Sequence, residues 1–110
     1  MEDLTLPQLA KKLEKFVMTL PSAKRFNTLS SEPRKAMMEL SDCVYSLRIN
    51  TERYFHADDS EEQQKFLEAA IFQVEKVQKQ ILEASQYDLL GPVDVAHLSA
   101  LAEQIKERLQ

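Results

Sequence analysis

The sequence predicts an all-α protein: an up-down-up-down antiparallel four-helix bundle formed by residues 1–110 as a single domain. Apolar residues recur at steps of three and four in four separate stretches, which is the period of a helix buried along one stripe. The connections between these stretches are short, and short connections make sequential helices antiparallel neighbours. The longest stretch runs from Ser60 to Tyr87 and is the one that the others pack around. Its seam is Leu67, Ala70, Val74, Val77, Ile81 and Ala84.

The first helix is predicted from Leu6 to Leu20. Thr5 can cap it, and Pro7 lies in its first turn, where the missing N–H removes no helical hydrogen bond. Pro21 ends it, because the residue before a proline disfavours helical geometry. Residues 21–32 then form a connector with a short helical turn. The apolar face of this helix consists of Leu9, Leu13, Phe16, Val17 and Leu20.

Three further helices follow. The second is predicted from about Ser31 to His56, with a seam of Met37, Leu40, Val44, Leu47, Thr51 and Tyr54. Ser60 and Gln63 have the spacing of a capping box, which predicts that the third helix begins at Ser60. Gly91-Pro92 stops the third helix, and Asp94 is the expected cap of the fourth. The alternative is three helices preceded by a loose first segment.

Composition argues against an enzyme, a metal site or a cofactor. Gly91 is the only glycine, whereas phosphate-binding loops and nucleophile elbows need glycine at several strained or closely approached positions. His56 and His97 lack the inward glutamates of a di-iron bundle. Cys43 lies on the apolar side of the second helix and is interpreted as a small buried hydrophobe. The sequence therefore predicts no catalytic, cofactor-binding or metal-binding residues.

Cysteine usage and hydropathy bear on the compartment. A chain with one cysteine forms no internal disulfide, which fits a reducing environment. No run of apolar residues is long enough for a signal peptide core or a membrane span. A cytoplasmic location without membrane association is the resulting expectation.

Charge is divided unevenly along the chain. The net charge is −4. Residues 1–57 carry nine Lys and Arg against seven Asp and Glu, whereas residues 58–110 carry five against eleven. Any contact with a polyanion is therefore expected from the first half. The residues predicted to bind nucleic acid are Lys24, Arg25, Arg34 and Lys35. The alternative is an ordinary surface of mixed charge, since acidic residues lie between the basic ones.

Large apolar residues also lie off the main seams. The second helix has Tyr45 and Ile49 on its flanks, and the third has Ile71 and Phe72. Exposed apolar stripes mark interfaces, so these four residues are the predicted contacts of a homo-oligomer. The alternative is a wider core, because globular helices also bury flanking positions.

Four stretches of sequence resemble a known family. They are LEKF at Leu13–Phe16, LPSAKRFNTL at Leu20–Leu29, the pair KAMMEL at Lys35–Leu40 and LEAAIFQVEKVQ at Leu67–Gln78, and the closing stretch Tyr87–Leu109. Together they are similar to the four-helix-bundle family that includes proteins encoded in 23S ribosomal RNA intervening sequences. They resemble still more the accessory variability determinant (Avd) proteins of diversity-generating retroelements.

This resemblance implies a function. Avd-like proteins are non-enzymatic partners of a reverse transcriptase, are commonly assembled as a ring of five chains, and engage nucleic acid through a basic surface. The resemblance therefore implies an accessory or scaffold protein that binds a reverse-transcriptase-like partner and RNA or DNA. The net negative charge instead favours an oligomeric protein-interaction module without a nucleic-acid role, and this alternative stays open.

Overall fold

The structure is a computed structural model that describes residues 4–110. Within that range every regular element is helical, and no strand is present. Four long helices are joined by short connections, and two short helical turns lie between the first and second of them. The elements are α1 (Leu6–Met18), α2 (Pro21–Lys24), a 3-10 turn (Phe26–Thr28), α3 (Ser31–His56), α4 (Ser60–Gln86) and α5 (Pro92–Leu109).

The four long helices enclose one hydrophobic core. Helix α3 packs against α1 and α4, and α5 packs against the same two helices. Helices α1 and α4 therefore occupy opposite corners of the bundle. Leu13 and Val17 of α1 are fully buried, so the first helix belongs to the core and the alternative of a loose first segment is wrong. The other fully buried large side chains include Leu40, Leu47, Val74, Val77, Ile81, Leu98 and Ile105.

The beginnings of α1 and α4 agree with the prediction, whereas the cap of α4 and the beginning of α5 differ from it. The Thr5 side chain accepts from the Gln8 N–H at 3.3 Å, and the Gln8 side chain accepts from the Thr5 N–H at 2.8 Å. The expected cap is thus confirmed as a full capping box. At α4 the cap is Asp59, not Ser60, since a carboxylate suits the positive helix end. The cap of α5 is Gly91, three residues before the predicted cap Asp94. The helix begins at Pro92 because the fixed φ of proline already matches a helix.

The connector is anchored by one buried hydroxyl. Ser22 is almost fully buried, and its Oγ donates to the carbonyl of Leu89 at 3.0 Å. This hydrogen bond joins the connector after α1 to the loop between α4 and α5, although the two segments are far apart in the sequence. Leu20 precedes Pro21 with extended geometry, which explains why α1 ends at Met18 instead of Leu20.

We expect Ser22→Ala to lower the free energy of unfolding by about 1–3 kcal/mol, because the buried Leu89 carbonyl would lose its side-chain donor. Urea unfolding followed by circular dichroism measures the change. The matched control is Ser31→Ala, since Ser31 is exposed in the first turn of α3. Equal midpoints for the two variants would show that the hydrogen bond adds nothing.

Candidate functional site

A basic surface extends over α1, the connector and the first turn of α3. We define it by its exposed cations, and among residues 4–110 none of them has an ion pair. Three lie on α1, two in the connector and one on α3. They are Lys11, Lys12, Lys15, Lys24, Arg25 and Lys35.

The helical period and the chain order explain how these cations are distributed over the outer face of α1 and the adjoining end of the bundle. Lys11 and Lys15 are one turn apart, on the face of α1 opposite the buried Leu13. Pro21 begins α2 directly after α1, so Lys24 and Arg25 follow at the same end of the bundle. Because α3 packs against α1 and begins at Ser31, its first turn also lies at that end.

Arg34, one of the four predicted nucleic-acid ligands, has a structural role. Its guanidinium donates to the Leu29 carbonyl at 2.8 Å and to the Asn27 carbonyl at 3.4 Å. It also lies over the Phe26 ring, 5.9 Å from the centroid. These contacts hold the end of the connector against α3, so replacing Arg34 would disturb the backbone as well as remove a charge.

Glu14, the only acidic residue of α1, is neutralised by a partly buried ion pair. The Arg48 Nε lies 2.7 Å from a Glu14 oxygen, and another guanidinium nitrogen lies 3.1 Å from Glu52. Burial of Arg48 opposes its charge, but these two carboxylates outweigh it and raise the guanidinium pKa. Arg48 also lies over the Tyr45 ring at 5.2 Å. Among residues 4–110, the charged side chains of α1 without an ion pair are consequently its three lysines.

The four predicted interface residues fall into two groups. Tyr45 is 54% exposed and Phe72 is 63% exposed, so both are accessible to a partner. Ile49 is partly buried, and Ile71 is partly buried and packs against the core. An interface role for all four stays a prediction. Sequence reasoning did not single out Leu82, which is 60% exposed although it is a leucine on a core helix.

The ionisable groups that most often carry catalysis are either buried or dispersed. Cys43 is 2% exposed, and burial raises the pKa of its thiol to about 12 against the smaller opposing effect of Lys76. His97 stacks on Phe16 with ring centroids 4.4 Å apart, whereas His56 lies at the end of α3. No group of three metal-ligating side chains occurs within residues 4–110. In the same part of the chain, no helix has the length and apolar character needed to span a membrane.

Comparison of the chain with protein-family models, with curated proteins and with solved structures finds no match. The resemblance to Avd-like and intervening-sequence proteins therefore stays a prediction. A function for this chain has to be argued from its own residues, and the basic surface is the most distinctive arrangement among them.

Proposed function

We propose that this protein is a non-enzymatic accessory protein that binds the phosphates of a nucleic acid through the basic surface. The observation that carries the proposal is the grouping of six exposed cations without an ion pair in residues 4–110. A reverse-transcriptase-like protein partner is the part of the proposal that rests on the Avd-like resemblance.

The acidic cluster after α3 lies at the far end of that helix from the connector, which supports this proposal despite the net charge of −4. Glu32 and Asp88 are exposed carboxylates at the connector end. A helix of the length of α3 spans about 39 Å. The connector cations lie at its beginning, whereas Asp58, Asp59, Glu61 and Glu62 follow its end. Because exposed charges are screened beyond about 8–10 Å at physiological salt, the acidic end does not cancel the field of the basic surface. Flexible lysines would contact phosphates without reading sequence.

We further propose the up-down-up-down topology. Contacts between neighbouring helices support it. In an antiparallel pair, residues that lie later in one helix contact residues that lie earlier in the other. Glu14 of α1 contacts Arg48, while Ser22, in the connector that follows α1, contacts Met37, which lies earlier in α3. Between α4 and α5, Glu75 contacts Lys106 whereas Gln78 contacts Glu103.

The proposal includes assembly and location. A homo-oligomer is supported by the exposed Tyr45 and Phe72, and the Avd-like resemblance implies a ring of five chains. A cytoplasmic location is supported by the single buried cysteine.

Binding of a labelled single-stranded RNA across a series of salt concentrations tests the function. We expect binding at low salt whose logarithm falls linearly with the logarithm of the salt concentration, with a slope of about −0.7 for each phosphate contacted. Binding that is absent at low salt would contradict the proposal. That result would favour the second candidate, a protein-interaction module, which the exposed apolar side chains of α4 support.

A further inference from the structure

A second, outward-facing heptad stripe runs along α4, opposite the seam that enters the core. It consists of six exposed residues at alternating steps of four and three, and we call it the outer stripe. Its members are Glu68, Phe72, Glu75, Lys79, Leu82 and Gln86. Steps of four and three on an exposed face are the pattern of a helix that packs against another helix.

The surface along the outer stripe has hollows of the kind that receive side chains from a facing helix. Two shallow cavities lie on it, and each is bordered by residues at positions i, i+3, i+4 and i+7. The first is bordered by Phe72, Glu75, Lys76 and Lys79 together with Gln80, and the second by Lys79, Leu82, Glu83 and Gln86 together with Tyr87. Four residues in this arrangement form the hole that receives a side chain from a facing helix in a coiled coil.

The order of side chains in the outer stripe is self-complementary. If α4 of a second copy packs antiparallel and centred on Val77, Phe72 lies beside Leu82 of that copy and Glu75 beside its Lys79. Apolar side chains then meet apolar ones, and Glu75, which lies 3.7 Å from Lys106 of its own chain, also meets the Lys79 ammonium. Parallel packing would instead place Glu75 against Glu75 and Lys79 against Lys79, where like charges repel.

A buried polar atom supports the same arrangement. Gln80 borders the first cavity, is 6% exposed, and has a buried Oε1 without a hydrogen-bond partner among residues 4–110. A buried acceptor left unpaired is destabilising by about 1–3 kcal/mol. In the antiparallel packing, Lys79 of the second copy enters this cavity. Its ammonium can then donate to Glu75 and, once the Gln80 side chain turns outward, to the Gln80 Oε1.

We propose that two copies of this chain associate through the outer stripe of α4, antiparallel and related by a two-fold axis near Val77. The inference specifies the homo-oligomer part of the proposed function and rests on that part, but it does not require nucleic-acid binding. Since α1 and α4 occupy opposite corners, both basic surfaces stay exposed on the far sides of the pair. A two-fold contact closes at two chains, so this inference replaces the ring of five that the Avd-like resemblance implies.

Charge exchange in the outer stripe tests this contact. Light scattering after size exclusion, at increasing protein concentration, should give twice the 12.7 kDa chain mass for the unaltered protein. Glu75→Lys and Lys79→Glu should each return the mass to one chain. Each substitution places two like charges side by side, and the two-fold axis makes this happen at two positions in the contact. The double variant Glu75→Lys with Lys79→Glu should restore two chains. Glu107→Lys, an exposed change on α5, is the control and should leave the mass at two chains.

Cross-linking tests the register separately. A Phe72→Cys chain mixed with a Leu82→Cys chain should form a mixed disulfide-linked dimer under mild oxidation, faster than either variant alone. An unaltered protein with the mass of one chain would overturn the proposal. A ring of five unaffected by the single variants, or a double variant no different from them, would do the same. Measuring RNA binding by Glu75→Lys keeps the two proposals apart, since the basic surface is intact in this variant.

Discussion

Reversing two charges on the basic surface should weaken RNA binding by about tenfold to a hundredfold at low salt, as expected when two phosphate contacts become repulsive. We expect this from Lys24→Glu with Arg25→Glu in the connector, and again from Lys11→Glu with Lys15→Glu on α1. The salt dependence should also become shallower by about one phosphate contact for each cation removed. Fluorescence anisotropy of a labelled RNA measures both quantities.

The control for these variants must change the net charge by the same amount. Lys65→Glu with Lys106→Glu does so on α4 and α5, away from the basic surface. We expect its RNA affinity to stay close to that of the unaltered protein. Similar losses in the control and in both test variants would show that only the overall charge matters, which contradicts a localised site. Arg34 is left unaltered because its guanidinium holds the Asn27 and Leu29 carbonyls.

The Cys43 thiol should react at least about tenfold more slowly in the folded protein than in the unfolded chain at pH 8, since the smaller thiolate population outweighs the greater nucleophilicity of a high-pKa thiolate. The reacting species is the thiolate, and burial raises the thiol pKa from 9.0 to about 12. The thiolate population in this pH range falls tenfold for each unit by which the pKa exceeds its unfolded value. Direct shielding of the sulfur, which is 2% exposed, would slow the reaction further.

Alkylation with iodoacetamide, with and without urea, measures this ratio by mass spectrometry. Equal rates in the two conditions would mean that Cys43 is accessible or activated in the folded state. That outcome would reopen the interpretation of Cys43 as a nucleophile. The slow rate is instead expected of a residue that packs as a small hydrophobe on α3.

Most of the fold was predicted from the helical period of the apolar residues. The seams of α3 and α4 were identified residue by residue, and Leu40, Leu47, Val74 and Ile81 are buried as expected. Periodicity succeeds here because burial of one face is the main source of stability for such helices. Helix ends were less predictable. The predicted cap of α5 was Asp94, but the helix already begins at Pro92. The predicted cap of α4 was Ser60, but the carboxylate of the preceding Asp59 caps it.

Only some residues of the candidate sites could be predicted from the sequence. Lys24, Arg25 and Lys35 could be proposed from charge, but the hydrogen bonds that occupy Arg34 depend on how the connector folds over α3. Ile71 and Phe72 looked alike in the sequence, and only the packed bundle separates the half-buried Ile71 from the exposed Phe72. A core seam and an outer stripe share the same period, so α4 had to be placed among its neighbours before Leu82 could be recognised as outward-facing.

The most direct test of the account is the composition of the complex that this protein forms with RNA. Light scattering combined with absorbance at two wavelengths, after size exclusion at low salt, gives both the protein mass and the RNA content of the eluting peak. We expect one peak that contains two chains, or an even multiple of them, together with RNA. Protein that elutes without RNA, with the mass of one chain, would contradict both the basic surface as a phosphate-binding site and α4 as the contact between copies.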